Sequence, residues 1–252
     1  MNKLQDKVAI VTGGGQGVGL GIAQALAEQG ARLVITGRHD DKLQLAAKDL
    51  RTRGAPDVLA VVSDVRKRES ARETVRATVQ KFGQLDVLVN NAQSSSPGTP
   101  FENINDETFE LTIESGLFGT LYHMQESFPH LKARGGSIIN LGSREGIFGG
   151  IGMSVYAATK EGIRGLSRSV AREWGKYNIR VNVICPAALS PSATKYLESH
   201  PEEAKMYLGQ TSLGRFGDPY RDIGLVAAFL ASPDAAYLTG QTLNADGGQM
   251  ML

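Results

Sequence analysis

Short apolar runs alternate along this chain with longer segments in which apolar residues recur every three or four positions. The apolar runs are rich in Val, Ile and Leu and mostly do not alternate with polar residues. That composition is typical of strands buried on both faces of a parallel sheet. The pattern predicts seven strands, at residues 8–12, 33–36, 58–62, 86–90, 137–141, 180–184 and 242–245.

The segments between the strands have helical periodicity. In the first of them, Ala23, Leu26, Ala27 and Gly30 follow the i, i+3, i+4, i+7 spacing, and Gly30 is a natural stop. Alternating strands and helices predict an α/β fold with right-handed crossovers: a doubly wound parallel sheet of seven strands with helices on both faces. One domain spanning residues 1–252 accommodates all seven strands, with residues 187–215 as a segment that covers the substrate site.

Composition and charge exclude several classes of function. The chain has 252 residues, of which 41% are hydrophobic, and a formal net charge of +1, so it lacks the basic footprint of a nucleic-acid or anionic-membrane binder. A single cysteine, Cys185, excludes an internal disulfide framework and fits a reducing compartment. Without a signal-peptide pattern or an apolar run of about 18 residues, we expect a cytoplasmic protein. The scattered histidines predict no metal site.

A glycine-rich stretch, TGGGQGVG at 12–19, joins the first strand to the first helix. Residues without Cβ atoms let the backbone turn sharply and approach a pyrophosphate, while the helix N-terminus offers unpaired N–H groups to the anion. The spacing is T-G-x-x-x-G-x-G rather than the plain G-x-G-x-x-G fingerprint, and no Gly-Lys-Ser/Thr of a P-loop follows. The alternative is a flexible turn without a ligand.

Several further motifs follow in order: NNA at 90–92, Ser143 thirteen residues before Tyr156, YAATK at 156–160, RVNVICP ending at Pro186, and GQTLNADGG at 240–248. With the glycine turn, they make the chain resemble the short-chain dehydrogenases/reductases over nearly its whole length, in particular the oxoacyl-reductase-like, single-domain branch. The resemblance implies a Rossmann-type sheet and an NAD(P)-dependent oxidoreductase acting on a carbonyl or a secondary alcohol.

The resemblance implies a catalytic set of Ser143, Tyr156 and Lys160. Tyr156 and Lys160 are one helical turn apart and share a face, although such pairs also occur by chance on helix surfaces. Hydride transfer to a carbonyl leaves an alkoxide that needs a proton. A free tyrosine has a pKa of about 10, so work near neutrality requires a decrease of roughly 3 units, or about 4 kcal/mol. We expect the ammonium of Lys160 and the nicotinamide cation to cause this decrease in the tyrosine pKa. Ser143 is expected to hydrogen-bond the substrate oxygen.

Other positions are assigned to the cofactor by the same resemblance. Gly37 occupies the end of the second strand, where NAD-preferring relatives carry an acid, and Arg38 follows it, which favours NADP(H) over NAD(H), although Arg38 is alternatively a solvated loop residue. Asp40 and Asp41 are expected to cap the next helix. The full set of predicted cofactor-binding residues is Gly13, Gly15, Gln16, Gly17, Val18, Gly19, Arg38, Asp64, Val65, Asn90, Ala92, Tyr156, Lys160, Pro186 and Leu189.

The sequence departs from the family pattern in three places. Gly116 stands where relatives carry an asparagine whose backbone carbonyl is thought to hold a water near the lysine, and Gln93 stands where they carry glycine after Asn-Asn-Ala. Pro186 is followed by Ala187 instead of glycine, and Pro191 replaces a threonine for which Ser190, Ser192 or Thr194 are possible substitutes. These departures keep open a second function, a dinucleotide-binding sensor or assembly protein with weak or no turnover.

Substrate and assembly are less constrained by the sequence. Residues flanking Ser143, including Arg144, Glu145 and Phe148, are candidates for the pocket wall, but an Arg–Glu pair in a loop is usually solvated. Relatives act on oxoacyl thioesters, sugars, steroids and small ketones, and are typically homotetramers. Four-residue spacing of Ala158, Gly162, Leu166, Val170 and Trp174 fits either core packing or a subunit interface.

Overall fold

The computed structural model describes residues 2–95, 98–189, 194 and 197–251. Seven strands form one sheet in which every neighbouring pair is parallel, in the order β3-β2-β1-β4-β5-β6-β7. The strands are β1 (Val8–Thr12), β2 (Arg32–Gly37), β3 (Val58–Val62), β4 (Val87–Asn90), β5 (Gly136–Leu141), β6 (Ile179–Pro186) and β7 (Thr242–Ala245). The predicted fold class is confirmed, and each predicted strand is present with ends shifted by at most two residues.

Helices cover both faces of the sheet. They are α1 (Gly17–Glu28), α2 (Asp40–Thr52), α3 (Arg68–Phe82), α4 (Asp106–Ile113), α5 (Gly119–Arg134), α6 (Arg144–Phe148), α7 (Ser154–Trp174), α8 (Pro201–Gly209) and α9 (Leu225–Ala231). A π-helical segment, Glu114–Phe118, joins α4 to α5, and a second one, Pro219–Gly224, precedes α9. The helical pieces expected between residues 187 and 241 are therefore present among the described residues.

Burial on both faces explains the unbroken apolar runs of the strands. All residues of β1 and β4 are buried. Val11 belongs to the apolar cluster beneath α1, α2 and α9, whereas its neighbour Ile10 belongs to the cluster beneath α3, α5 and α7. Because successive side chains point to opposite faces, a strand between two helix layers needs apolar residues at every position.

The longest helix, α7, buries a different stripe from the one predicted. Its buried residues include Val155, Thr159, Ile163 and Ser167, whereas Ala158 is exposed. Only the C-terminal part of the predicted face lies inward: Val170 belongs to the core, and Trp174 stacks on Phe128 with ring centres 4.5 Å apart. The polar residues Thr159 and Ser167 share this inner face with the apolar Val155 and Ile163.

The strand order places a switch point between β1 and β4. From β1 the chain winds outward to β2 and β3, and it then returns to β4 on the other side of β1. Connections therefore leave the carboxyl ends of β1 and β4 in opposite directions. In open α/β sheets this crevice is where ligands bind.

Candidate active site

A cavity of about 370 Å³ lies at the carboxyl ends of β1 to β4. Its wall comes from the segments that follow these four strands, so the sheet fixes the position of each contributor. The lining residues are Gly13, Gly15, Gln16, Gly17, Val18, Gly19, Thr36, Gly37, Arg38, His39, Lys42, Leu43, Ser63, Asp64, Val65, Arg66, Asn91, Ala92, Gln93, Ser94 and Ser115. The glycine turn, Arg38, Asp64, Val65 and Ala92 were all predicted from the sequence.

The glycine turn is held against the end of β4 by two polar side chains. The Thr12 hydroxyl accepts hydrogen bonds from the backbone N–H groups of Asn91 at 2.9 Å and Ala92 at 3.1 Å. The Asn91 amide donates to the backbone carbonyl of Thr12 at 2.9 Å. Thr12 was recognised in the motif, but Asn91 was not predicted as a site residue, although it lies within the quoted NNA.

The turn forms a cradle with no room for side chains. Gly13 and Gly17 have φ values of +67° and +56°, in the left-handed region that favours glycine. A Cβ atom on Gly19 would overlap the backbone carbonyl of Gly13. No side chain caps the N-terminus of α1 at Gln16. These bare N–H groups fit the pyrophosphate of a dinucleotide.

Cationic side chains gather at the β2 end of the cavity. Arg38 is exposed there, and Lys42 donates from Nζ to the Gln16 side chain at 2.9 Å. Asp64 is paired with Arg66 at 2.6 Å, and the hydrogen bonds from Arg66 hold the pKa of the Asp64 carboxyl below its ordinary value. Sequence reasoning missed Lys42, whose only signal was its place four residues after Arg38.

One sequence assignment needs correction, and three others stay predictions. Asp40 and Asp41 do not cap α2: the N-cap is His39, and both acids lie in the first turn, where they favour the helix dipole. The Asn90 side chain is buried and donates to Asn140 at 2.8 Å, and the assignment of Asn90 to the cofactor stays a prediction. Pro186 ends β6 and Leu189 lies three residues beyond it, and the assignment of both to the cofactor stays a prediction.

The three predicted catalytic residues converge beside the end of β5. Ser143 follows β5 and caps α6, its hydroxyl accepting the Glu145 backbone N–H at 3.1 Å. Tyr156 and Lys160 lie in the first turns of α7, with Lys160 Nζ 5.4 Å from the centre of the Tyr156 ring. Lys160 Nζ also donates to the backbone carbonyl of Leu141, the last residue of β5, at 2.7 Å. The arrangement places a hydroxyl, a phenol and an amine around one point.

Burial shifts the pKa values of the phenol and the amine in opposite directions. It raises the pKa of Tyr156, with the Ser143 hydroxyl acting the other way and Glu145 adding to the increase. It lowers the pKa of Lys160 to about 8. The predicted lowering of the phenol pKa by Lys160 is therefore not found in the chain by itself. Desolvation is the largest cause of the increase, and the Lys160 ammonium donates its hydrogen bond to the Leu141 carbonyl.

Arg144 and Glu145 are not the solvated pair expected from a loop. Their side chains are 19% and 21% exposed and lie 3.1 Å apart in an ion pair. Arg144 also donates to Gln210 at 3.1 Å and to Gln249 at 3.3 Å. It thus connects α6 to the residue after α8 and to the end of the chain.

Part of the predicted covering segment can be located. Leu213 N donates to the Gly247 carbonyl at 3.0 Å, and Ala188 forms an isolated parallel bridge with Gly217. Ser190, Pro191 and Ser192 lie outside the described residues. A second cavity, of about 480 Å³, lies between this segment and residues 243–249.

The described residues contain neither a metal cluster nor a membrane span. No group of three or more His, Cys, Asp or Glu side chains with metal-binding geometry was found in that part of the chain. None of the helices described there has both the length and the apolar character needed to cross a membrane.

Comparisons with known proteins agree with this geometry. The family model described as enoyl-(acyl carrier protein) reductase matches residues 13–250. The chain is 46% identical to the 12α-hydroxysteroid dehydrogenase of a Clostridium species, covering 98% of both chains. It is 37% identical to the 3-oxoacyl-[acyl-carrier-protein] reductase FabG of Chlamydia muridarum, covering 97% of this chain and 98% of that protein.

A solved structure has the same fold. The short-chain type dehydrogenase/reductase from Mycobacterium ulcerans superimposes with a TM-score of 0.93 at 30% identity, covering 98% of this chain and 90% of the other. With the glycine cradle and the Ser143–Tyr156–Lys160 cluster, these matches establish that the chain belongs to the short-chain dehydrogenase/reductase family of NAD(P)-dependent oxidoreductases.

Proposed function

We propose that this enzyme interconverts a secondary hydroxyl group and a ketone on a hydroxysteroid, with NADP(H) as cofactor and Tyr156 as general acid/base. The observation that carries the catalytic part is the convergence of Ser143, Tyr156 and Lys160 at the end of β5, two strands away from the glycine cradle that follows β1. The substrate class is supported by the 46% identity to a 12α-hydroxysteroid dehydrogenase over nearly all of both chains.

Ser143, Tyr156 and Lys160 each have a separate role in the proposed reaction. The bound nicotinamide supplies or accepts the hydride. Ser143 hydrogen-bonds the substrate oxygen, and Tyr156 donates a proton to that oxygen during reduction. Because burial raises the pKa of the phenol, Tyr156 is protonated near neutral pH and is ready to act as the acid. Lys160, fixed by Leu141, keeps a positive charge next to the phenol as its proton leaves.

Two cations support a preference for NADP(H). The cofactor 2′-phosphate is a dianion, and Arg38 and Lys42 line the end of the cavity beyond Gly37, where NAD-preferring relatives carry an acid. Replacing Arg38 with Ala is expected to weaken NADPH binding by about 10–100-fold, which is the contribution of one charge-assisted hydrogen bond. The affinity for NADH should change little. Arg76→Ala, on the exposed face of α3, is the control. An unchanged NADPH/NADH ratio would contradict the NADP(H) assignment.

A rigid apolar substrate fits the surroundings of the cluster. Phe148, Leu213 and Met251 are 72%, 67% and 78% exposed. They lie on α6, the covering segment and the chain end, which Arg144 ties together. Exposed apolar side chains next to a site provide a surface for an apolar ligand.

The substrate test is a matched panel followed at the absorbance of the reduced nicotinamide. Hydroxysteroids differing only in the position and configuration of the hydroxyl are compared with oxoacyl thioesters and small cyclic alcohols. We expect the highest kcat/KM for one hydroxysteroid isomer. Preference for the oxoacyl thioester, the substrate named for the 37% identical relative, would replace the steroid assignment and leave the cofactor and acid/base assignments intact.

Assembly as a homotetramer in the cytoplasm completes the proposal. The outer face of α7 supports the assembly, because Ala158 is exposed and Gly165 has no atoms within 4 Å of a Cβ position. Such a face of small residues allows close approach of a second copy. Light scattering measures the mass directly. The single cysteine supports the location.

A further inference from the structure

Two of the departures from the family pattern meet in space. A Cβ atom built on Gly116 would lie 2.9 Å from both the Cδ and the Nε2 atoms of Gln93, and would overlap the Cγ2 methyl of Thr159. The space into which a side chain at position 116 would extend is thus filled by the Gln93 carboxamide and by Thr159. Gln93 and Gly116 depend on each other, because with Gln93 in this place neither the family's asparagine nor any other side chain fits at position 116.

Hydrogen bonds fix the loop that carries Gln93. The Ser115 hydroxyl accepts the Ser94 backbone N–H at 2.9 Å and donates to the Ser94 carbonyl at 3.1 Å or to the Leu111 carbonyl at 2.6 Å. Ser115 lies in the π-helical segment Glu114–Phe118, and such segments often mark functional sites. The carboxamide is therefore held between the end of β4 and this segment.

The Gln93 carboxamide has unused hydrogen-bonding capacity. Both its Oε1 and its Nε2 are buried, and neither has a partner among the described residues. Buried polar groups are nearly always paired in native proteins because leaving them unpaired is costly. Gln93 belongs to the cavity wall, so its unpaired amide has one hydrogen bond to donate and one to accept when a ligand occupies the cavity.

The position of Gln93 in the cavity indicates which part of a dinucleotide it faces. Arg38 and Asp64 mark one end of the cavity, the glycine turn the middle, and Gln93, Ser94 and Ser115 the other end. Gln93 contacts the position of Gly116, which contacts Thr159, the neighbour of Lys160 in α7. The carboxamide therefore lies at the end nearest the catalytic cluster, where the nicotinamide half belongs.

We propose that Gln93 is a cofactor-binding residue that hydrogen-bonds the nicotinamide ribose through its carboxamide, which occupies the space left by a side chain at position 116. A ribose hydroxyl both donates and accepts, which matches the two unpaired atoms of the amide. Because the amide is neutral, it adds no charge that would favour binding of the oxidised nicotinamide over the reduced one. The inference rests on the proposed use of a nicotinamide dinucleotide.

The test replaces Gln93 with Met, which keeps the length and fills the same space but forms no comparable hydrogen bonds. Calorimetry on the protein without substrate measures binding of NADPH and of adenosine 2′,5′-bisphosphate, which lacks the nicotinamide riboside. We expect about tenfold weaker NADPH binding, the size of one or two hydrogen bonds, and an unchanged affinity for the fragment. The melting temperature of the free protein should not fall, because the variant removes an unpaired amide. Gln80→Met, on the exposed face of α3, should change none of the three values.

The other outcomes are decisive. Unchanged NADPH binding would show that Gln93 only fills space, and equal losses for NADPH and the fragment would show a general distortion of the cavity; either result overturns the inference alone. Wild-type protein that binds no nicotinamide dinucleotide would overturn the proposed function as well. If Gln93→Met does not fold, the ratio of NADPH to fragment affinity in Gln93→Ala gives the same decision.

Discussion

At the scale of single residues, the ammonium of Lys160 and the phenol of Tyr156 are both placed where charge is poorly solvated. The Lys160 side chain is almost fully buried, and its pKa falls to about 8 as a result. The phenol keeps its proton more firmly than in water. A protonated phenol therefore lies beside an amine whose pKa of about 8 is close to physiological pH. The roles of the two groups can be tested separately.

Tyr156→Phe removes only the phenolic hydroxyl. If Tyr156 supplies the proton, turnover should fall by about 10²–10⁴-fold, the usual worth of a general acid, while dinucleotide affinity and melting temperature stay near those of the wild type. Steady-state kinetics and calorimetry give the two readouts. Tyr122→Phe, which removes a hydroxyl on α5 outside the site, is the matched control. Substantial activity in Tyr156→Phe would end the assignment of Tyr156 as the acid.

The depressed pKa of Lys160 predicts a pH dependence of stability. Between a folded pKa of about 8 and the ordinary value of 10.5, the unfolded chain binds more protons than the folded one, so this residue's contribution to stability rises with pH and is lost as pH falls through 8. Relative to Lys160→Met, the free energy of unfolding of the wild type should increase by about 2 kcal/mol between about pH 8 and pH 10.

Urea titrations at several pH values measure this difference. Lys48→Met, which removes an exposed lysine on α2, corrects for the loss of a surface charge. A wild-type-minus-variant difference that stays flat across the window would mean that Lys160 is not desolvated in solution.

At the scale of elements, the junction of β1 and α1 allows no side chain at one helical position. A Cβ on Gly19 would collide with the Gly13 carbonyl and the Asn91 amide, both of which belong to the cradle. The collision is with backbone, so it cannot be relieved by a change of rotamer. Position 19 requires glycine because the Gly13 backbone lies too close for a Cβ atom, and not because of its own φ angle.

Gly19→Ala is therefore expected to lower stability by about 1–3 kcal/mol and to weaken dinucleotide binding, because the turn must move. Gly175→Ala, the same substitution at the right-handed C-cap of α7 with open space around it, should leave stability unchanged or raise it by up to about 1 kcal/mol through higher helix propensity. Thermal melts of both variants with and without NADPH distinguish the two effects. Equal effects would contradict the steric argument.

At the scale of the whole molecule, the segment Pro219–Gly224 connects α1 to the covering segment, residues 187–215. This segment packs so closely on α1 that a Cβ on Gly21 would collide with the Pro219 backbone. It is also joined to the covering segment by Asp222, whose carboxylate accepts hydrogen bonds from Arg215 at 2.5 and 2.7 Å. Pro219–Gly224 therefore contacts both the covering segment and the helix that follows the glycine turn.

Asp222→Asn tests this connection. The hydrogen bonds from Arg215 lower the pKa of Asp222 to about 2, so its contribution to stability is present above the unfolded pKa of 3.8 and is lost as pH falls towards 2. At neutral pH we expect the variant to melt about 2–4 °C below the wild type, because the pair is partly exposed, and the gap should close in acid. Glu73→Gln, an exposed carboxylate on α3, should not show this pattern.

The sequence by itself determined the sheet and the glycine turn, and it singled out the candidate catalytic set. Strands such as β1 and β4 are apolar at every position because both faces are covered, and this signal is local. The glycine spacing and the four-residue interval from Tyr156 to Lys160 are likewise written in consecutive residues.

Only the tertiary structure decided which charges and amides meet. Lys42 contacts Gln16, Asn91 holds the turn, and the Gln93 carboxamide fills the space beside Gly116, although these partners are 26, 79 and 23 residues apart. The direction of the Tyr156 pKa shift also required the fold, since it depends on how much water the surrounding elements exclude. Local patterns report the periodicity of a segment, whereas desolvation and steric complementarity arise only when distant segments pack together.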